Sequence, residues 1–311
     1  MKEMIEWIHT EDMEFHTYIW TDEKIKPRAV FYIVHGSVEH AGRYRSFAEN
    51  LVKEGYVVIA PDLRGHGQTG LKQNSLGHFT DGPMGWELCV HDLKLIYDHI
   101  HDIYPNLPLI LFGHSMGSYL LRCFIKEYPV ECAGLIISGT GGFAKGLGDL
   151  GIWLSKLTMH IKGKAYKSKF LTGLVYDSLN KRIGPTETSF DFLSRDKTVV
   201  KTYIEDPLCG YTCSAEYIHE MLLGTRKSNE GPMFDLKQDK LPILLMSGEN
   251  DPVGDKKSKG IEGVYTKYKE NNKNVSFNLY PKARHELLNE INREEVIADV
   301  LAWLSSHCKT C

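Results

Sequence analysis

No stretch of this sequence approaches the eighteen or so uninterrupted apolar residues of a membrane-spanning helix. The opening residues, Met1-Lys2-Glu3-Met4-Ile5-Glu6-Trp7, lack the long apolar core of a secretory signal. Neither charge sign dominates: 37 Lys and Arg face 40 Asp and Glu, for a net charge of -3. That balance excludes the basic footprint of a nucleic-acid binder. Cysteine is sparse and odd in number, seven in 311 residues. Cys209 and Cys213 lack the paired spacing of a zinc site. Reduced thiols in a cytoplasmic protein are therefore expected, with no metal and no cofactor. Internal repeats and low-complexity tracts are also missing. What remains is 42% hydrophobic and 25% charged. That is an ordinary globular composition, at a length that fits one large α/β domain with an insertion.

Along the chain, two alternating segments at 4–8 and 14–20 read as an antiparallel edge hairpin. Continuous apolar runs follow at 29–34, 56–59, 108–112 and 133–138, separated by segments with helical periodicity. In the first of these helices Tyr44, Phe47, Ala48, Leu51 and Val52 fall on one face. The pattern resumes at 242–246 and 275–280 and ends in a helix over 293–305. The expected fold is α/β, a mostly parallel eight-stranded sheet with helices on both faces. Residues 1–142 and 241–311 make the core, and 143–240, which lacks strand–helix alternation, makes a helical cap.

Gly113-His114-Ser115-Met116-Gly117 reads G-x-S-x-G between a buried strand and a helix. Side chains at 113 and 117 would clash in so sharp a turn, so glycine is needed there. Serine is a weak nucleophile and needs a base, which needs an orienting acid. On such a strand–turn–helix the acid and then the histidine follow the serine in the chain. Asp251, after the strand at 242–246, and His285, after the strand at 275–280, have that order, at the same sheet edge as Ser115. Glu249 and Asp255 are rival acids; Pro252, stiffening the turn, favours Asp251. The backbone N–H groups of Met116 and Ser37 are the expected oxyanion donors.

Asp62 with Arg64-Gly65-His66-Gly67 reads as a loop brace. On the helix over 86–103, Asp98, His101 and Asp102 share one face, which reads as solvated rather than metal-binding.

Taken together, His35-Gly36-Ser37-Val38-Glu39-His40-Ala41-Gly42-Arg43-Tyr44, Asp62-Leu63-Arg64-Gly65-His66-Gly67, the 113–117 elbow, Asp251-Pro252-Val253-Gly254 and Ala283-Arg284-His285-Glu286 resemble the monoacylglycerol lipase and lysophospholipase-like serine hydrolases of the α/β-hydrolase superfamily. The resemblance covers the core on both sides of the insertion. It implies Ser115, Asp251 and His285 as triad and Ser37 and Met116 as oxyanion donors. Serine at 37 departs from many relatives, a change that a backbone donor should tolerate. The implied substrates are small esters or lipids, with monoacylglycerols or lysophospholipids leading. Aromatic or short-chain esters are the alternative, then an aminopeptidase, then a non-catalytic binding module.

Residues 143–183 carry eight basic side chains against two acidic ones, beside an apolar stripe of Leu147, Leu150, Trp153, Leu154, Leu157 and Ile161. The expectation is that Gly36, Trp153 and Leu157 contact substrate, the stripe receiving an acyl chain. The lysines would make peripheral contact with anionic membranes.

Overall fold

A computed structural model describes residues 1–231, 240–254, 259–272 and 274–308. Eight strands form one sheet in the order β1-β2-β4-β3-β5-β6-β7-β8. They are β1 Lys2–His9, β2 Glu14–Thr21, β3 Ala29–Val34, β4 Tyr56–Pro61, β5 Leu109–His114, β6 Gly134–Ser138, β7 Ile243–Gly248 and β8 Val275–Tyr280. β1 and β2 form the expected antiparallel edge hairpin, and β2 also runs antiparallel to β4. The pairs from β4 through β3 to β8 are parallel. This is the α/β-hydrolase fold.

Every residue of β3, β4, β5, β6 and β7 is buried, which is why these strands read as unbroken apolar runs. Strand alternation then splits their side chains between two cores. Phe31 and Ile33 face helices α1 Arg45–Lys53 and α10 Arg293–His307, against Phe47, Leu51, Val300 and Leu304. Val30, Tyr32 and Val34 face the opposite layer, where α3 Gly85–Ile103 contributes Val90 and Leu93, and α4 Met116–Glu127 contributes Leu120 and Phe124. The short α2 Gly67–Lys72 follows β4.

Between β6 and β7 come α5 Leu147–Lys162, α6 Lys169–Arg182, α7 Lys197–Glu205 and α8 Ala215–Asn229, and after β7 comes α9 Lys259–Asn271. α8 is fastened to α4 at its C-terminal end, where helix carbonyls lack intrahelical partners. Buried Arg122 donates to the Ser228 carbonyl at 3.1 Å and to Asn229 Oδ1 at 2.8 Å. Lys126 Nζ reaches the carbonyls of Ser228 at 2.8 Å and Glu230 at 2.9 Å. Two cations against the negative end of a helix dipole make a favourable junction. No helix among the described residues is long and apolar enough to cross a membrane.

Candidate active site

Ser115 sits where β5 turns into α4, with φ +50° and ψ -119°. That conformation is strained for a residue with a side chain, and neighbouring groups must hold it. The Ser115 N–H donates to the Ser138 carbonyl of β6 at 2.9 Å, and Ser118 Oγ donates to the Ser115 carbonyl at 2.5 Å. A Cβ at 117 would lie 2.1 Å from the Val34 carbonyl oxygen, and one at 113 would lie 2.7 Å from that of Gly117. The elbow therefore needs both glycines, as its sequence implies.

His285 and Asp251 meet at the same sheet edge, both buried. His285 Nδ1 lies 3.0 Å from each Asp251 carboxylate oxygen. Asp251 is held in turn by the Val253 N–H, donating to Oδ1 at 2.9 Å. The insertion helps position the histidine: the N–H groups of His285 and Glu286 donate to the carbonyls of Phe192 at 3.2 Å and Leu193 at 2.7 Å. Burial alone would push the imidazole pKa down; the Asp251 charge and hydrogen bond outweigh it and raise the pKa above its ordinary value. With Nδ1–H given to Asp251, Nε2 carries the lone pair. Ser115 and His285 line one small cavity together with Gly36, Ser37 and His114. Glu249 points elsewhere, exposed and accepting the Lys282 N–H at 3.0 Å. Asp255 lies outside the described residues.

A second, larger cavity of about 280 Å³ opens beside Ser115. Ser37, Ser115 and Met116 sit on its wall, and Leu171, Leu174, Ile218, Met221 and Leu222 give it an apolar lining. From α5 it receives Leu147, Gly148 and Gly151. Trp153 and Leu157 do not line it: they are 58% and 40% exposed on the outer face of the helix. The reason is packing. Gly148, Gly151 and Ser155 are the buried positions of α5: Gly148 lies against the Phe143 ring, and Gly151 and Ser155 let the helix approach Leu222 and His219 of α8 closely. Leu150, Trp153, Leu157 and Ile161 are left outside, whereas Leu154 packs against the core. Gly36 lies on the wall of the small cavity with Ser115 and His285, and its N–H donates to Glu39 Oε1 at 2.6 Å.

Glu39 belongs to a buried charge cluster to which the sequence reading gave no role. Arg43 donates to Glu39 Oε2 at 2.5 Å and, in bidentate fashion, to both Glu286 oxygens at 2.7 Å. Tyr44 hydroxyl donates to Glu39 Oε1 at 2.9 Å. One guanidinium thus ties the loop after β3 to the residue that follows His285. The i, i+4 spacing of Glu39 and Arg43 could have signalled half of this cluster. The loop brace at Asp62 is present: its carboxylate accepts the N–H groups of Ala41 and Gln68, each at 2.8 Å. Arg64 instead pairs with Asp92 of α3, Nε to Oδ2 at 2.7 Å. On the same helix Asp98 is taken by Lys94 Nζ at 2.7 Å. Among the described residues one His/Asp/Cys group converges, His40, Asp206 and Cys209 within 4.8 Å. Asp206 there is already bound by His40 Nε2 at 3.0 Å and by the Leu208 N–H at 2.8 Å. Burial pushes the Cys209 thiol pKa up, keeping it protonated.

A strained serine at an elbow, a buried Asp–His pair and one cavity wall shared by Ser115 and His285 are what a nucleophilic hydrolase requires. The model of the family described as Hydrolase_4, serine aminopeptidase S33, matches residues 25–292. The chain belongs to this family. It is 28% identical over 293 residues to a monoacylglycerol lipase of Mycolicibacterium smegmatis, covering 93% of this chain and 92% of the relative. It is 28% identical over 290 residues to the monoglyceride lipase of Homo sapiens, covering 91% and 84%. Among solved structures it resembles a thermostable carboxyl esterase of Bacillus coagulans crystallised with glycerol, at a TM-score of 0.86, 24% identity and 98% coverage of both chains. The chain is a carboxylic-ester hydrolase of the α/β-hydrolase superfamily.

Proposed function

We propose that this hydrolase cleaves monoacylglycerol- or lysophospholipid-type esters through an acyl-enzyme on Ser115, with Asp251 and His285 completing the triad. The observation that carries this reading is the buried pairing of His285 Nδ1 with both Asp251 oxygens, on a cavity wall shared with Ser115. In the acylation step His285 Nε2 takes the Ser115 hydroxyl proton as Oγ bonds to the ester carbonyl carbon. The N–H groups of Met116 and Ser37 stabilise the oxyanion. The same proton then passes to the departing alkoxide, and a water repeats the sequence to release the acid. Asp251 holds the tautomer and stabilises the imidazolium.

The large cavity supports an acyl chain as the group held there. Its described lining carries no carboxylate and one cation, Arg182, whose Nη1 donates to the Pro252 carbonyl at 3.0 Å. An aminopeptidase would need an acidic anchor for the substrate amine, so the ester reading is favoured despite the family's description. We take residues 143–240 as the cap. Its outer face supports a lipid surface as the source of substrate. Leu147 and Leu174 line the cavity and are also exposed, as are Trp153, Ile161 and Phe170. Lys156, Lys162 and Lys169 flank them in solvent, whereas Lys164 and Lys167 reach backbone carbonyls of the loop before α3. A fluorophosphonate should add once, at Ser115. A panel of glycerol, lysophospholipid and aromatic esters should then rank the lipid esters first. An aromatic ester at the head of that ranking would overturn the substrate assignment while leaving the nucleophile intact.

A further inference from the structure

The side chain of Ser37 is not idle. Its Oγ lies 2.5 Å from the Tyr176 hydroxyl of α6 and is also hydrogen-bonded to the Tyr217 hydroxyl of α8. Tyr217 hydroxyl lies in turn 2.8 Å from His66 Nε2. His66 fixes the direction of the chain. Its Nδ1 faces the Arg64 carbonyl at 2.8 Å, and a carbonyl can only accept, so Nδ1 carries the proton. Burial pushes the His66 pKa down to about 3, so the ring is neutral and Nε2 is an acceptor. Tyr217 must then donate to His66, which leaves its oxygen to accept from Ser37. Ser37, having given its only proton, accepts from Tyr176. The phenols stay protonated, because burial raises both pKa values far above the ordinary one. The order is Tyr176 to Ser37 to Tyr217 to His66, with every proton assigned.

This chain of hydroxyls joins three parts of the fold at the residue proposed above as an oxyanion donor. We infer that the Ser37 hydroxyl, with Tyr176 and Tyr217, couples the seating of α6 and α8 to the alignment of the Ser37 N–H, so that turnover depends on the cap being docked. These three are positioning residues in this role, and the inference rests on the proposed oxyanion role of the Ser37 backbone. Within the loop Glu39 accepts the neighbouring Gly36 N–H and is itself bound by Arg43, which also holds Glu286. The loop is thus tied to the core through Arg43 and to the insertion through two phenols. Without the phenols, the clamp is one-sided. A hydroxyl at 37 is required for this arrangement, although any residue except proline could supply the N–H.

The test compares wild type with Ser37→Ala, Tyr176→Phe, Tyr217→Phe and the Ser37→Ala/Tyr217→Phe double variant. Two readouts are used: hydrolysis of p-nitrophenyl butyrate, and inhibition by a trifluoromethyl ketone, which forms an oxyanion adduct with a serine. Losing an oxyanion donor outright costs about 10² to 10³ in kcat, so misaligning one is expected to cost Ser37→Ala about tenfold, with KM changed less than about twofold. Ketone affinity should weaken by the same factor as kcat/KM, because it reports the oxyanion geometry. Tyr217→Phe keeps its ring stacked on Phe79, at 4.3 Å between centroids, and should lose activity in the same direction. The double variant should be no slower than Ser37→Ala, since the two changes break one connection. Additive losses, or unchanged kcat and ketone affinity in Ser37→Ala and Tyr217→Phe, would overturn the coupling. If Ser37→Ala fails to fold, the Tyr217→Phe and Tyr176→Phe results decide alone. A wild-type enzyme that the ketone leaves uninhibited would instead remove the serine-hydrolase reading, and the coupling with it.

Discussion

Ser115→Ala removes one oxygen from a position where Gly113, Gly117 and the Ser138 carbonyl already fix the backbone. Esterase activity should fall by about 10⁴ or more, with the melting temperature unchanged within a few degrees. Persistent fluorophosphonate labelling of that variant would show another nucleophile. Asp251→Asn should cost about 10⁴ in kcat, since asparagine favours the wrong imidazole tautomer. Glu249→Gln, on an exposed side chain turned toward Lys282, should cost little. Steady-state kinetics on the pair distinguish them. As the proposed base, His285 would work only when neutral, and its pKa in the fold is raised. Activity should therefore be lost as pH falls through that raised value, with the midpoint of kcat/KM above about 6.5. A profile flat between pH 5 and 8 would count against His285.

At the scale of elements, α5 teaches the most about what a sequence discloses. Its stripe of Leu147, Leu150, Trp153, Leu154, Leu157 and Ile161 announces a helix with an apolar face. It is silent on what that face meets, because periodicity reports a direction around an axis and not a neighbour. The inward face is set by Gly151 and Ser155 packing on Leu222 and His219 of α8, a relation between residues some seventy apart in the chain. The elbow, the acid loop and the histidine loop were legible because each is a short motif at the end of an apolar strand. The Glu39–Arg43–Glu286 cluster and the hydroxyls around Ser37 were not, because each needs partners from distant segments. The corrected orientation changes which substitutions should matter. Leu222→Phe narrows the cavity and should shift preference toward shorter acyl chains. Each methylene excluded costs about 0.8 kcal/mol, or a factor of about four in kcat/KM. Trp153→Ala should leave a monoacyl ester ladder unchanged and weaken sedimentation with anionic vesicles at low salt. A changed ladder in Trp153→Ala would return that side chain to the cavity wall.

Across the whole molecule, the buried charges give an acid limit to stability. Burial opposes ionisation of Glu39, but Arg43 and the surrounding donors win and lower its pKa from 4.5 to about 2. A depressed carboxylate contributes its full stabilisation above its unfolded value and loses it as pH falls toward its folded one. The melting temperature should therefore drop between pH 4.5 and about 2, and less steeply in Glu39→Gln, which starts lower at neutral pH. Parallel melting curves for the two proteins over that window would contradict the assignment. The sheet order also has a consequence in time. The serine strand β5 is made before the insertion, and the strands that deliver Asp251 and His285 are made after it. A chain leaving the ribosome at roughly 5–20 residues per second carries its elbow for many seconds before the proposed base has been made. With the proposed triad the nascent protein cannot cut during that interval, so synthesis itself keeps it silent until its last strand has been made.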